Sequence, residues 1–139
     1  KMQTYKDNEK QVKVIAGKFK NVEGPVKGHN VEPVYFDIEL KKDKKFNFEL
    51  PLSHNTFIYL IDGEIKIGNQ KHQKIKDSTL VLLTKGGKLK VSSISNSKFL
   101  IISGKPIGEQ IARGGPFVMN TKEEILQAVQ DYHNGTFVK

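Results

Sequence analysis

The feature that most constrains this chain is a series of short segments between Val34 and Ser103 in which apolar residues recur at every second position and turn residues interrupt them. Val34, Phe36, Ile38 and Leu40 alternate with Tyr35, Asp37 and Glu39. That period belongs to a half-buried strand, because successive side chains on extended backbone point to opposite faces. Phe46, Phe48 and Leu50 repeat it after Lys41, Lys42, Asp43, Lys44 and Lys45, so the two segments read as a hairpin. Thr56–Ile61 is a nearly continuous apolar run that ends in Asp62-Gly63, a type I′ turn signal, before Glu64–Ile67; this reads as a second hairpin. Leu80–Thr84, Gly86-Gly87 and Leu89–Ile94 read as a third, and Phe99–Ser103 as one more strand before Gly104-Lys105-Pro106. Closely spaced short strands with turns between them predict a sandwich or barrel, and not alternating strand–helix units. If such a barrel closes, Phe36, Phe46, Phe48, Phe57 and Tyr59 are the expected filling.

The pattern changes near the C-terminus. Thr121 and Glu124 have capping-box spacing, Ile125, Ala128, Val129 and Tyr132 recur at helical spacing, and Asn134-Gly135 supplies a stop. One amphipathic helix is expected over about 122–133, its apolar stripe covered by the barrel's outer face or by a neighbouring domain or subunit. Asn21–Glu32, with Gly24-Pro25 and Gly28, lacks periodicity and reads as a surface loop. At 139 residues the chain is expected to be one domain, 1–139, with a barrel over about 12–112.

Several function classes are disfavoured by composition. The net charge is +8, yet 22 of the 23 basic residues are Lys and only Arg113 carries the forked guanidinium suited to phosphates and base edges, so no specific nucleic-acid partner is expected. No apolar run is long enough to span a bilayer, and Lys1–Lys10 contains no apolar signal core; a soluble, cytoplasmic chain with no membrane partner is the expectation. The absence of Cys removes thiolate ligands and a Cys nucleophile. Of the four His, none of His29, His54, His72 and His133 is spaced to share a metal with another. His29 reads as a loop residue, His72 as part of a Lys-rich turn and His133 as a cation at the helix end. His54, just before the central strand, stands out. No nucleophile elbow, phosphate-cradling glycine loop or acid–base pair is legible, and Gly86-Gly87 and Gly114-Gly115 read as turns.

Gly115-Pro116-Phe117-Val118-Met119-Asn120-Thr121, followed by Glu123-Glu124-Ile125, Gln127-Ala128, Asp131-Tyr132 and Gly135-Thr136-Phe137, resembles the closing signature of pirin-like proteins. Gly104-x-Pro106-x-x-Glu109 resembles the turn before that signature, departing at Gln110 where the family has Pro, and the segment from Leu50-Pro51 through Asn55-Thr56-Phe57 to Gly63-Glu64 resembles the family's second barrel. The resemblance runs from about Val12 to the end. It implies an all-β cupin-type double-stranded β-helix, a jelly-roll barrel, closed by one C-terminal α-helix.

Pirins are bicupins in which a His and Glu iron site lies in the N-terminal barrel, and some members oxidise quercetin; this chain resembles the C-terminal barrel alone. With Gly63 as anchor, the resemblance puts the cupin ligand positions on Leu50, Leu52 and Thr56, and the second-motif His near Lys88. No metal, cofactor or catalytic residue is therefore expected in this barrel. The expected function is that of a metal-free structural or interaction module, the C-terminal half of a bicupin, partnered by a second cupin barrel or by another copy of itself. The alternative is part of an iron-dependent, quercetinase-like dioxygenase whose metal lies in a missing N-terminal barrel. His54, Tyr59 and Lys88 are the candidates for a pocket at the barrel mouth, and Gly115, Pro116, Phe117, Met119 and Asn120 carry the family signature.

Overall fold

The computed structural model describes residues 2–27, 30–68 and 73–138. The readings of His29 and His72 fall outside these residues. Two compact units are present, Lys1–Pro106 and Ile107–Lys139.

The first unit is a two-sheet barrel built from β1 (Gln3–Lys6), β2 (Lys10–Ala16), β3 (Lys18–Phe19), β4 (Val22–Glu23), β5 (Val34–Leu40), β6 (Lys45–Glu49), β7 (Asn55–Asp62), β8 (Glu64–Ile67), β9 (Gln73–Lys76), β10 (Thr79–Leu82), β11 (Lys88–Ser93) and β12 (Ser97–Gly104). One sheet has six strands in the order β1-β2-β5-β12-β7-β10, the other four in the order β6-β11-β8-β9, and the pairings are antiparallel. This is the jelly-roll architecture expected.

β5 to β8 and β10 to β12 fall close to where the periodicity places them, whereas β1 to β4 and β9 have no counterpart in that reading, and the three expected hairpins do not form. β5 pairs with β2 and β12, whereas β6 pairs with β11; β7 pairs with β10 and β12, whereas β8 pairs with β9 and β11; β10 lies on β7, away from β11. Each expected turn is instead a corner at which the chain leaves one sheet for the other. At the Lys-rich corner the backbone bonds outward to another corner: Asp43 N–H donates to Ser93 O at 3.1 Å, Lys42 N–H donates to Asn96 Oδ1 at 2.9 Å, and the Ser93 hydroxyl donates to Lys41 O. At the Asp62-Gly63 corner, Gly63 has φ +90°, and a Cβ there would stand 2.4 Å from Asn96 O. Glycine is required here by the closeness of a second corner rather than by a hairpin.

Local hairpins do occur elsewhere. β1 and β2 are joined by a turn that Asp7 closes, its Oδ1 accepting from the N–H groups of Glu9 and Lys10 at 2.8 Å each. β8 and β9 form another. The region read as an unpatterned loop contributes β4 and a bridge from Val26 to Ala16.

The core lies between the sheets. Phe36, Phe46 and Phe99 are fully buried. Phe19, from the short β3, stacks on Phe46 at 5.4 Å and meets Phe36 edge-on at 5.8 Å, so it links both sheets. Such pairs add about 0.5–1.5 kcal/mol beyond the area they bury. The expected interior needs one correction. On β7 the inward residues are Thr56, Ile58 and Leu60; Phe57 is half-buried and Tyr59 is exposed on the outer face.

The second unit is a β-hairpin with a helix. β13 (Ala112–Gly114) pairs with β14 (Phe117–Met119), and α1 runs Lys122–His133, the span expected. Thr121 and Glu124 form the capping box: Glu124 N–H donates to Thr121 Oγ1 at 3.1 Å and Thr121 N–H donates to Glu124 Oε2 at 2.9 Å. No helix among the described residues is long and apolar enough to cross a membrane.

Candidate functional site

Leu50 ends the β6 segment and is buried, and Pro51 starts a tight turn that His54 closes by donating its N–H to Pro51 O at 3.1 Å. This turn delivers His54 into the barrel immediately before β7, where it is 3% exposed. Two residues on, the alternation of β7 points Thr56 inward as well. Ser103 on β12 pairs with Thr56 in register, and the three side chains form a buried polar chain: Thr56 Oγ1 lies 2.8 Å from Ser103 Oγ, which lies 3.1 Å from His54 Nδ1. The other imidazole nitrogen, Nε2, is buried and has no hydrogen-bond partner among the described residues.

His54 and Thr56 line a cavity of about 200 Å³ whose lining residues also include Leu50, Ile67, Leu83 and the buried Leu89, with the exposed Lys88 and Lys90 on either side of Leu89. His54 and Lys88, two of the three residues singled out from the sequence, therefore meet at one pocket. Tyr59 does not join them, because its place on β7 turns it to the opposite face of the sheet. Thr56 and Ser103 were missed as pocket chemistry. The alternation that makes them inward-facing was available for Ser103, but its partnership with Thr56 depends on the β7–β12 register.

A larger cleft of about 620 Å³ runs along the β1–β2 turn, Asp62 and Lys98. Its charges are largely matched to one another: Lys10 and Lys44 each lie 3.3 Å from the Glu9 carboxylate, and these two ammonium groups hold Glu9 below the usual carboxylate range. Burial pushes the Asp7 carboxyl up, but the N–H groups of Glu9 and Lys10 and the Tyr5 hydroxyl outweigh it and hold Asp7 below its ordinary value. This is structural electrostatics around a turn.

The signature residues build the small second unit. Gly115, at φ +54°, and Pro116 make the hairpin turn. Phe117 packs between Phe137 at 5.2 Å and Tyr132 at 6.1 Å, and Asn120 donates its side-chain amide to Glu109 at 2.7 Å. A Cβ on Gly114 would stand 2.4 Å from Ile125 Cγ2, so glycine there lets the helix lie against the hairpin. Met119 pairs with Ala112 across the hairpin.

The outer face of the six-stranded sheet is the other notable surface. Leu82, Phe57, Ile102 and Tyr35 stand side by side across four strands, and Leu80, Tyr59 and Leu100 form the next row. Leu80 is 56% and Leu82 77% exposed. Further along, the rows become charged, with Lys13 on Asp37 at 3.3 Å.

Comparison with known proteins agrees with this architecture. The Pirin C-terminal cupin domain pattern matches residues 35–138. This chain belongs to the pirin family. It is 36% identical over 104 residues to human pirin, covering 73% of this chain and 36% of that protein, and 31% identical over 127 residues to a pirin-like protein of Caulobacter vibrioides, covering 91% and 45%. Among solved structures, a quercetin 2,3-dioxygenase from Acinetobacter baumannii superposes with a TM-score of 0.80 at 28% identity, covering 95% of this chain and 45% of that one. The chain thus spans less than half the length of these relatives.

The ligand positions that the cupin resemblance implies raise the question whether this pirin barrel could hold a metal. The described residues do not fit one. Of the positions that the cupin pattern assigns to ligands, Leu50 is buried in the core, Leu52 is exposed, Thr56 is bonded to Ser103, and Lys88 is a cation. His54 is the one imidazole of its pocket, whose described lining residues include no carboxylate. Among the described residues no group of three His, Asp or Glu side chains converges.

Proposed function

We propose that this pirin domain works as a metal-free, non-catalytic cupin barrel, an interaction module whose partner is a second cupin barrel. The observation that carries the reading is the outer face of the six-stranded sheet, where Leu80, Leu82 and Tyr59 stand exposed beside Phe57, Leu100 and Ile102. A contiguous apolar surface on a sheet marks a contact surface, and scattered single residues do not. The positions that the cupin pattern assigns to ligands support the same reading, since they hold Leu, Leu, Thr and Lys. Family membership sets the kind of partner: the domain covers under half of its relatives, so the rest of such a protein is available to cover this face. The alternative, membership of an iron-dependent quercetinase-like dioxygenase, would place the iron in that second barrel and leave this domain the same packing role.

Two measurements test the proposal. Metal analysis of the chain produced in iron-supplemented cells is expected to give less than about a tenth of an equivalent, because among the described residues no three His, Asp or Glu side chains converge. Leu80→Lys with Leu82→Lys is expected to weaken association with a separately produced N-terminal pirin barrel by more than about tenfold. Near-stoichiometric iron, or association untouched by the double variant, overturns the reading.

A further inference from the structure

The proton accounting around His54 leads beyond a passive module. Ser103 Oγ sits between Thr56 Oγ1 and His54 Nδ1 and has one proton to give. If Ser103 gave it to Thr56, Nδ1 would have to donate to Ser103, and both the Thr56 hydroxyl proton and the Nε2 lone pair would be left without a partner among the described residues, against Nε2–H alone in the reverse arrangement. If Thr56 donates to Ser103 and Ser103 donates to Nδ1, both hydroxyl protons are used. The hydrogen-bond network therefore assigns the imidazole proton to Nε2. That N–H is the buried group with no partner among the described residues, and it belongs to a side chain that lines the 200 Å³ cavity. A buried donor left without an acceptor is costly, so the pocket calls for an acceptor.

The rest of the lining specifies which kind. Lys88 and Lys90 are present, and no Asp or Glu is among the described lining residues, so the acceptor is an anion. Leu50, Ile67, Leu83 and Leu89 are apolar side chains among the other lining residues, beside Thr56 and Thr84, which suits a short hydrocarbon tail next to a polar head. At about 200 Å³ the cavity lies below the roughly 300–1,000 Å³ usual for sites of drug-sized ligands, which favours a carboxylate with a few carbons over a flavonoid-sized molecule. We propose that this pocket binds a small aliphatic carboxylate, its head on His54 Nε2–H and Lys88 and its tail against Leu50, Leu83 and Leu89.

Butyrate is the probe, titrated into the isotope-labelled full chain, with chloride at matched ionic strength as control. The expected result is a saturable set of amide shifts confined to residues 50–56 and 83–90, absent with chloride, and a His54 ring spectrum of the Nε2–H tautomer before addition. Lys88→Met, at an exposed position that folding does not need, is expected to weaken binding at least about fivefold, and His54→Phe to abolish it. Shifts that do not saturate by about 50 mM, that spread over the surface lysines, that chloride reproduces, or that Lys88→Met leaves unchanged overturn the assignment, as does an Nδ1–H tautomer. The Lys88 variant keeps the test decisive even if His54→Phe fails to fold. Failure here leaves the packing reading intact, because that reading is measured by association and metal content.

Discussion

Gly63 is the position where a single methyl group should tell most about the fold. Its φ of +90° is a conformation that a residue with a Cβ adopts only under strain of about 1–3 kcal/mol. The added Cβ of Gly63→Ala would also stand 2.4 Å from Asn96 O and 2.9 Å from Ser97 Cα, both backbone atoms that no side-chain rotation can move. Displacing a corner of the barrel to relieve that overlap adds about 1–3 kcal/mol, the usual cost of forcing volume into a packed site. Gly68→Ala is the matched control: its φ is +93° and nothing lies within 4 Å of the Cβ position, so it carries the strain alone. Expected losses are thus about 2–6 kcal/mol at Gly63 and about 1–3 kcal/mol at Gly68. For a chain of this size they correspond to falls in Tm of roughly 7–24 °C and 4–12 °C, the Gly63 variant melting below the Gly68 variant. Circular dichroism melts and urea titrations of the two variants measure both. Equal losses at the two positions would refute the claim that Asp62-Gly63 is a corner pressed against Asn96 and Ser97, and would restore the ordinary hairpin turn read from the sequence.

Phe46→Ala should cost about 3–5 kcal/mol in chemical denaturation, because Phe46 is fully buried and removes contacts with Phe19 and Phe99 together; a loss under 1 kcal/mol would mean that the two sheets do not meet there. Thr121→Ala should raise amide exchange in the first turn of α1 and destabilise that helix by about 0.5–2 kcal/mol, with Thr121→Ser restoring most of it. Asp7→Asn should flatten the acid side of the stability profile. Since the folded-state pKa of Asp7 lies below its ordinary 3.8, the carboxylate's contribution is present above the unfolded value and lost as the pH falls through the folded one, so the variant and the parent should converge at the acid end.

The strand positions were legible because period-two alternation is a local property. The pattern of β5 alone fixes which of its residues meet the core. Strand partners were not legible, because the energy that pairs Leu100 with Tyr59 and Asp37 comes from residues far apart in sequence, whereas a turn signal reports only the chain's local conformation. Asp43 and Gly63 do take positive φ as turn residues should, yet the chain leaves each turn into the other sheet. In the pocket, His54 and Lys88 could be singled out by their closeness to the central strand and to the cupin ligand positions, but the link from His54 through Ser103 to Thr56 needs β12 laid on β7.

The one strand whose facing was misread, β7, is informative for that reason. Alternation identifies the inward face only when the outward face is polar, and Phe57, Tyr59 and Ile61 on the outward side are as apolar as Ile58 and Leu60 on the inward side. A strand apolar on both faces is the pattern of a sheet covered on both sides. β10 and β12 carry the same pattern, since Leu80, Leu82, Leu100 and Ile102 face outward while Phe99, Ile101 and Val81 face the core. At β5 the outward positions turn to Asp37 and Glu39, and there the alternation reads correctly, while Lys13 on β2 continues the charged side of the sheet. The boundary between readable and unreadable strands therefore coincides with the edge of the apolar surface proposed as the docking face. A charge placed at Leu82 probes both at once: if the face is covered in the working protein, Leu82→Lys should leave the melt of the isolated domain within about 0.5 kcal/mol of the parent, as expected for an exposed position, while lowering its association with a second barrel. A substantial loss of stability in the isolated domain would instead show that the face is covered from within the chain.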